Sequence, residues 1–245
     1  NNDTFVAVET VGYDVEAYRM GDVVNRGDLV ALNPDNVDGK GSISLVTDNG
    51  NATNYDNFKL VDGAEQFEYL GMSGYAVGSN TAKFNEGTKY YYDKGMVLSD
   101  ADLAMKAENG YLYNTMNMHS EKSLTLISGK NMTVGTNFAA IDAVGDVTLQ
   151  SVNGTLKVKD GSSVTSTAGS ISMDGNKGVI NSNSAAITAA EDVAMKSAAG
   201  AIKNDSSVTA IKGSVEINGN DGITNNIGAA ITAGQNVVMA SEAGK

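Results

Sequence analysis

The chain contains no cysteine, no tryptophan, a single proline and a single histidine. Without cysteine there is no disulfide, no thiolate nucleophile and no cysteine-ligated metal or cluster. One proline beside 28 glycines suits dense strands joined by tight turns. Basic residues are also scarce, 17 Lys+Arg against 29 Asp+Glu, for a formal net charge of −12. Phosphate backbones and anionic membrane surfaces repel such a chain, which argues against nucleic-acid binding. No apolar run approaches the ~18 residues of a membrane span, so membrane insertion is not expected. No basic-then-apolar start marks a signal peptide, and the chain reads as a mature or excised piece. Its 245 residues suffice for one large domain or two smaller ones.

Aromatic residues nearly vanish from the second half: fourteen of the fifteen lie at or before Tyr113, and only Phe138 follows. From Asn114 onward the core has to be built from Val, Ile, Leu, Met and Ala. Residues 1–98 carry 7 basic and 15 acidic side chains, residues 99–245 carry 10 and 14. These shifts place a soft boundary between a less regular, β-rich part (1–98) and a repetitive part (99–245).

The repeat is explicit. Asp102-Leu103-Ala104-Met105, Asp146-Val147-Thr148-Leu149, Asp192-Val193-Ala194-Met195 and Asn236-Val237-Val238-Met239 are each followed by a glycine at one offset: Gly110, Gly154, Gly200 and Gly244. Midway between them stand Ser123-Leu124-Thr125-Leu126, Ser170-Ile171-Ser172-Met173 and Ser214-Val215-Glu216-Ile217. The starts recur every 22 residues or so, alternating Asx and Ser at the first position. A second strand signal follows (Leu156-Lys157-Val158, for example), and a third recurs as Ala139–Ala143, Ser163–Ser166, Ala186–Ala189, Ser207–Ala210 and Ala230–Ala233. A unit of three short strands cannot bury its apolar positions alone, but stacked units place like strands in parallel register ~4.8 Å apart. The predicted inward stack runs Leu103/Met105, Leu124/Leu126, Val147/Leu149, Ile171/Met173, Val193/Met195, Val215/Ile217 and Val237/Met239. The expected fold is an all-β, right-handed parallel β-helix of about 22 residues per coil, the hand following the usual rule for parallel crossovers. Before residue 99 the strand candidates are Thr4–Thr10, Val23–Val24, Leu29–Leu32, Ser42–Val46, Phe58–Val61, Gln66–Leu70 and Lys89–Tyr92. This part is read as early coils decorated by long loops, a cap, or a small separate β domain.

The runs Gly145-Asp146-Val147-Thr148-Leu149, Glu191-Asp192-Val193-Ala194-Met195 and the Ala-Ala-Ile-Thr-Ala segments ending near 190 and 234 resemble the repeats of filamentous-haemagglutinin-like bacterial surface proteins. The resemblance covers residues 99–245. It implies a non-enzymatic, exported adhesive or structural protein at the bacterial cell surface or outside the cell, with a host receptor or glycan as partner. The Asn-Pro-Asn motifs of that family's secretion domain are absent; Asn33-Pro34-Asp35-Asn36 is the nearest match. Lys245 falls part-way into a coil with no polar cap. That leaves a longer protein, or an end-to-end homo-oligomer formed through open sheet edges, as expectations.

Candidate chemistry is sparse. Arg26-Gly27-Asp28 spells an integrin-recognition tripeptide, yet also reads as a tight turn feeding the strand at Leu29. Tyr90, Tyr91 and Tyr92, with Tyr111 and Tyr113, form the densest aromatic group, as sugar-stacking platforms or as core filling. Asp102, Asp146 and Asp192 would lie ~10 Å apart, barely overlapping the separation of an inverting glycosidase pair. Their replacement by Ser and Asn along the same ladder marks them as turn stabilisers. His119 reads as an exposed strand-end residue. Met105, Met173, Met195 and Met239 read as core. The acidic turns at Asp48, Asp174 and Asn218 lack the spacing of known calcium loops. No cofactor and no metal are expected, and a polysaccharide-active β-helix enzyme or tailspike is the remaining alternative.

Overall fold

The computed structural model describes residues 10–11, 14–25, 29–33, 40–54, 57–62, 88–93, 96–135 and 139–243. The described chain is all-β and contains no helix. Strands fall into two nine-stranded sheets and one eight-stranded sheet, every pairing within them parallel, plus one antiparallel pair. Each coil contributes one strand to each of the three sheets in turn, in one coil Leu103–Ala107 to the first, Leu112–Asn114 to the second and Asn117–Ser120 to the third, so the fold is a parallel β-helix. At ~4.8 Å per rung the nine-rung shaft is about 40 Å long.

The first sheet stacks the predicted ladder rung on rung. Leu103–Ala107 pairs with Leu124–Ser128, then Val147–Ser151, Ile171–Gly175, Val193–Ser197, Val215–Gly219 and Val237–Ser241 follow in unbroken register. Alternate residues point inward. Leu103, Met105, Leu126, Leu149, Met173, Met195 and Ile217 are all buried, and the axial core is one continuous column of Val, Ile, Leu, Met and Ala. Val237 and Met239 depart from the expected inward stack: they are 47% and 44% exposed, because their strand pairs on one side only.

The described strands of the first 98 residues join the same stack. Val15–Arg19 pairs with Ile43–Thr47, and Ile43–Thr47 pairs with Leu103–Ala107. The rung stacked on Ile43–Thr47 is therefore sixty residues away in sequence, not at the Gln66 segment; that candidate, like residues 4–9, lies outside the described residues. Two long segments separate consecutive strands of the shaft. Residues 33–42 separate a third-sheet strand from the next first-sheet strand, and residues 55–95 separate Ala52–Asn54 from Met96–Ser99. The second segment carries the antiparallel ribbon Asn57–Asp62 against Thr88–Asp93. Register survives it: Ala52–Asn54 still pairs with Leu112–Asn114, and Leu29–Leu32 with Met96–Ser99.

The recurrent glycine has a steric cause. A Cβ on Gly110 would sit 1.8 Å from the carbonyl oxygen of Gly50, and one on Gly200 would sit 2.2 Å from that of Lys177. The corner between the first and second sheets brings successive backbones so close that only hydrogen fits.

Candidate functional site

At the corner where each coil enters the first sheet, the Asx/Ser ladder ties coil to coil. Asp102 Oδ1 accepts the Ser123 N–H at 3.1 Å, Asp146 Oδ1 that of Ser170 at 2.8 Å, and Asp192 Oδ1 that of Ser214 at 2.7 Å. The serines continue the relay, since Ser170 Oγ accepts the Asp192 N–H at 3.2 Å. These carboxylates are engaged by backbone donors along the axis. A reacting group gains nothing from such repetition, whereas a turn does. Asp14 opens the same ladder. The Lys40 ammonium, at 2.9 Å, and the Ser42 N–H lower its pKa to about 2.

A second ladder lies inside the coil, one that the reading of the repeat passed over. Asn25, Asn54 and Asn114 occupy one register position at the end of the second-sheet strands, as do Asn181, Asn204 and Asn225. Asn181 Nδ2 donates to Asn204 Oδ1 at 2.8 Å, and Asn204 Nδ2 to Asn225 Oδ1 at 2.7 Å. Val158 stands on the rung before Asn181, so nothing there donates to Asn181 Oδ1, which is buried without a partner. The available signal was an Asn at one fixed offset behind the second strand's apolar residue.

His119 is not the exposed strand-end residue expected. It faces outward within Asn117–Ser120, half-buried, with Nδ1 against the Asp142 carboxylate and Nε2 3.1 Å from Glu121 Oε1. Partial burial opposes its charge, but the hydrogen bonds to Asp142 and Glu121 outweigh that and raise its pKa above the ordinary 6.5. Both ring nitrogens are occupied, which leaves neither free to act on a substrate. On the same outward row, Asp142 is followed by Thr165, Thr188, Thr209 and Thr232.

Arg26, Gly27 and Asp28 lie outside the described residues, in the segment joining Val23–Asn25 to Leu29–Leu32. Tyr90, Tyr91 and Tyr92 sit in the inserted ribbon, opposite Leu60, Lys59 and Phe58 respectively. Tyr111 and Tyr113 belong instead to the shaft. Met105, Met173 and Met195 fill the axial core, while Met239 is exposed. Among the described residues no three His, Asp or Glu side chains are grouped to hold a metal ion, and no helix is long and apolar enough to cross a membrane. Comparison with family models, with curated proteins and with solved structures returns no match.

Proposed function

We propose that this chain is the β-helical shaft of an exported, non-enzymatic surface adhesin of the filamentous-haemagglutinin-like kind, and that the segment at residues 55–95 is its display element for a host receptor or glycan. The observation that carries the reading is the insertion of some forty residues, ribbon included, into one corner without loss of register above or below. Loops presented by a rigid scaffold are where binding concentrates. Outward polar positions along the shaft repeat instead of clustering, which favours a spacer over a catalytic groove. The test replaces residues 55–95 by a two-residue corner such as Asp205-Ser206, which joins Ile202–Asn204 to Ser207–Ala210 elsewhere in this chain. The shortened rod is expected to fold and to lose binding to host cells. Unchanged binding, or depolymerisation of a polysaccharide panel by the intact chain, overturns the reading.

A self-assembling filament subunit is the second reading. It is favoured by the regularity of the shaft, whose rungs from Leu103–Ala107 to Val237–Ser241 repeat one parallel pairing in unbroken register. Negative-stain microscopy over a concentration series separates the two, with short rods for a shaft and lengthening fibres for a filament.

A further inference from the structure

Stacking brings together a second set of aromatic residues that are far apart in sequence. Tyr18 and Tyr111 are 59% and 49% exposed, and Met20 beside them is 62% exposed. All three lie around the corner between the first and second sheets: Tyr18 is on the first rung of the first sheet, level with Val46 and Lys106, Met20 just beyond that strand, and Tyr111 immediately before the second-sheet strand Leu112–Asn114 two rungs on. Hydrogen bonds connect the two rings' surroundings. The Tyr18 hydroxyl donates to the Asp48 carboxylate, and the Asp48 carbonyl oxygen accepts both the Asn109 N–H at 3.0 Å and its Nδ2 at 2.9 Å. Two residues on, the Tyr111 N–H donates to Asn51 Oδ1 at 3.0 Å. Both rings are held in place, Tyr18 through its hydroxyl and Tyr111 by the Lys130 ammonium 5.2 Å from its centroid. Rings this exposed contribute little burial to the fold, and their contacts fix them at the surface.

We infer that this corner is a binding surface for a neutral oligosaccharide that crosses it obliquely, from Tyr18 on the first rung to Tyr111 two rungs on, separate from the inserted ribbon. The C–H face of a pyranose packs on an aromatic ring, and its hydroxyls bond to carboxylates and amides, here Asp48, Glu108, Asn49, Asn51 and Asn109. Two rises of the coil, ~9.6 Å, separate the rungs of Tyr18 and Tyr111, about two units of an extended sugar chain. Asp48, Glu108 and Glu16, against Lys106 and Lys130, in a chain of net −12, disfavour uronate and sulfated glycans. Rings held before the ligand arrives lose little conformational entropy on binding.

The test is affinity electrophoresis of the whole chain through gels containing neutral polysaccharides (mannan, β-glucan, xylan, galactan) or anionic ones (alginate, polygalacturonate, heparin). At least one neutral polymer is expected to retard the protein, and no anionic one. Tyr18→Ala and Tyr111→Ala are each expected to weaken retardation roughly tenfold with an unchanged melting temperature, while Tyr18→Phe retains most of it. No retardation by any neutral gel, retardation by anionic gels alone, or full retardation of the Tyr18→Ala/Tyr111→Ala double variant overturns the inference. The variant lacking residues 55–95 is expected to be retarded like the intact chain. If it loses retardation while the double tyrosine variant keeps it, the sugar sits on the ribbon, and only the corner assignment fails.

Discussion

The carboxylate of Asp192 accepts the backbone N–H of Ser214 at 2.7 Å, across the gap from one coil to the next. Ser214 Oγ in turn accepts the N–H of Asn236 at 3.4 Å. An Asx side chain and a serine hydroxyl thus alternate as acceptors along one edge of the shaft, at the position where the sequence alternates the same residues.

Asp192→Ala is therefore expected to destabilise the chain by about 1 kcal/mol, the size of a lost cap. Asp192→Asn keeps an acceptor oxygen and is expected to cost less. Urea unfolding midpoints compare the two, and equal losses would show that charge, not acceptance, sets the contribution.

The interior asparagine ladder makes a sharper prediction. Asn204→Val takes the 2.8 Å acceptor from the buried Asn181 amide and the side-chain partners from the Ser206 N–H and carbonyl, and is expected to cost about 1–3 kcal/mol. Replacing Asn181, Asn204 and Asn225 together by Val also removes the buried Asn181 amide with its unpaired Oδ1, and the same register position already holds Val134 and Val158. The triple variant is expected to be the more stable of the two. Calorimetry that ranks them the other way refutes this account of the ladder.

Gly200→Ala places a methyl 2.2 Å from a backbone oxygen that cannot rotate away. The expected loss is about 1–3 kcal/mol, typical of forced overpacking. A melting temperature equal to that of the unaltered chain would mean that the corner has room the structure does not display.

Protonated His119 holds Asp142 and Glu121 together on adjacent coils. Because its pKa is raised above 6.5 in the folded state, it contributes stability below that pH and loses it as pH rises through the folded value. Asp142→Asn is expected to lower the imidazole titration midpoint and to flatten this dependence. Proton NMR of the ring and unfolding at a series of pH values check both, and a midpoint unmoved by Asp142→Asn contradicts the assignment.

Much of this was legible in the residues. Leu103/Met105 and its successors recur at a fixed period because each coil repeats one local problem, two inward apolar residues between polar corners, and stacking solves it the same way each time. The Asx/Ser alternation was readable as turn chemistry for the same reason. The early rungs were harder, since Ile43–Thr47 finds its partner only at Leu103–Ala107 and no period spans that segment. The His119 cluster was also hidden: Asp142 is one coil away, and nothing local marks an outward histidine as paired.

By itself the sequence determined the coil, its period and its core, because alternation within a strand and recurrence between strands are properties of order along the chain. Only the tertiary structure decided which outward residues share a surface. Neighbours on the shaft are set by the ~4.8 Å rise between rungs, not by chain distance. Tyr18 and Tyr111, 93 residues apart, line the same corner for that reason.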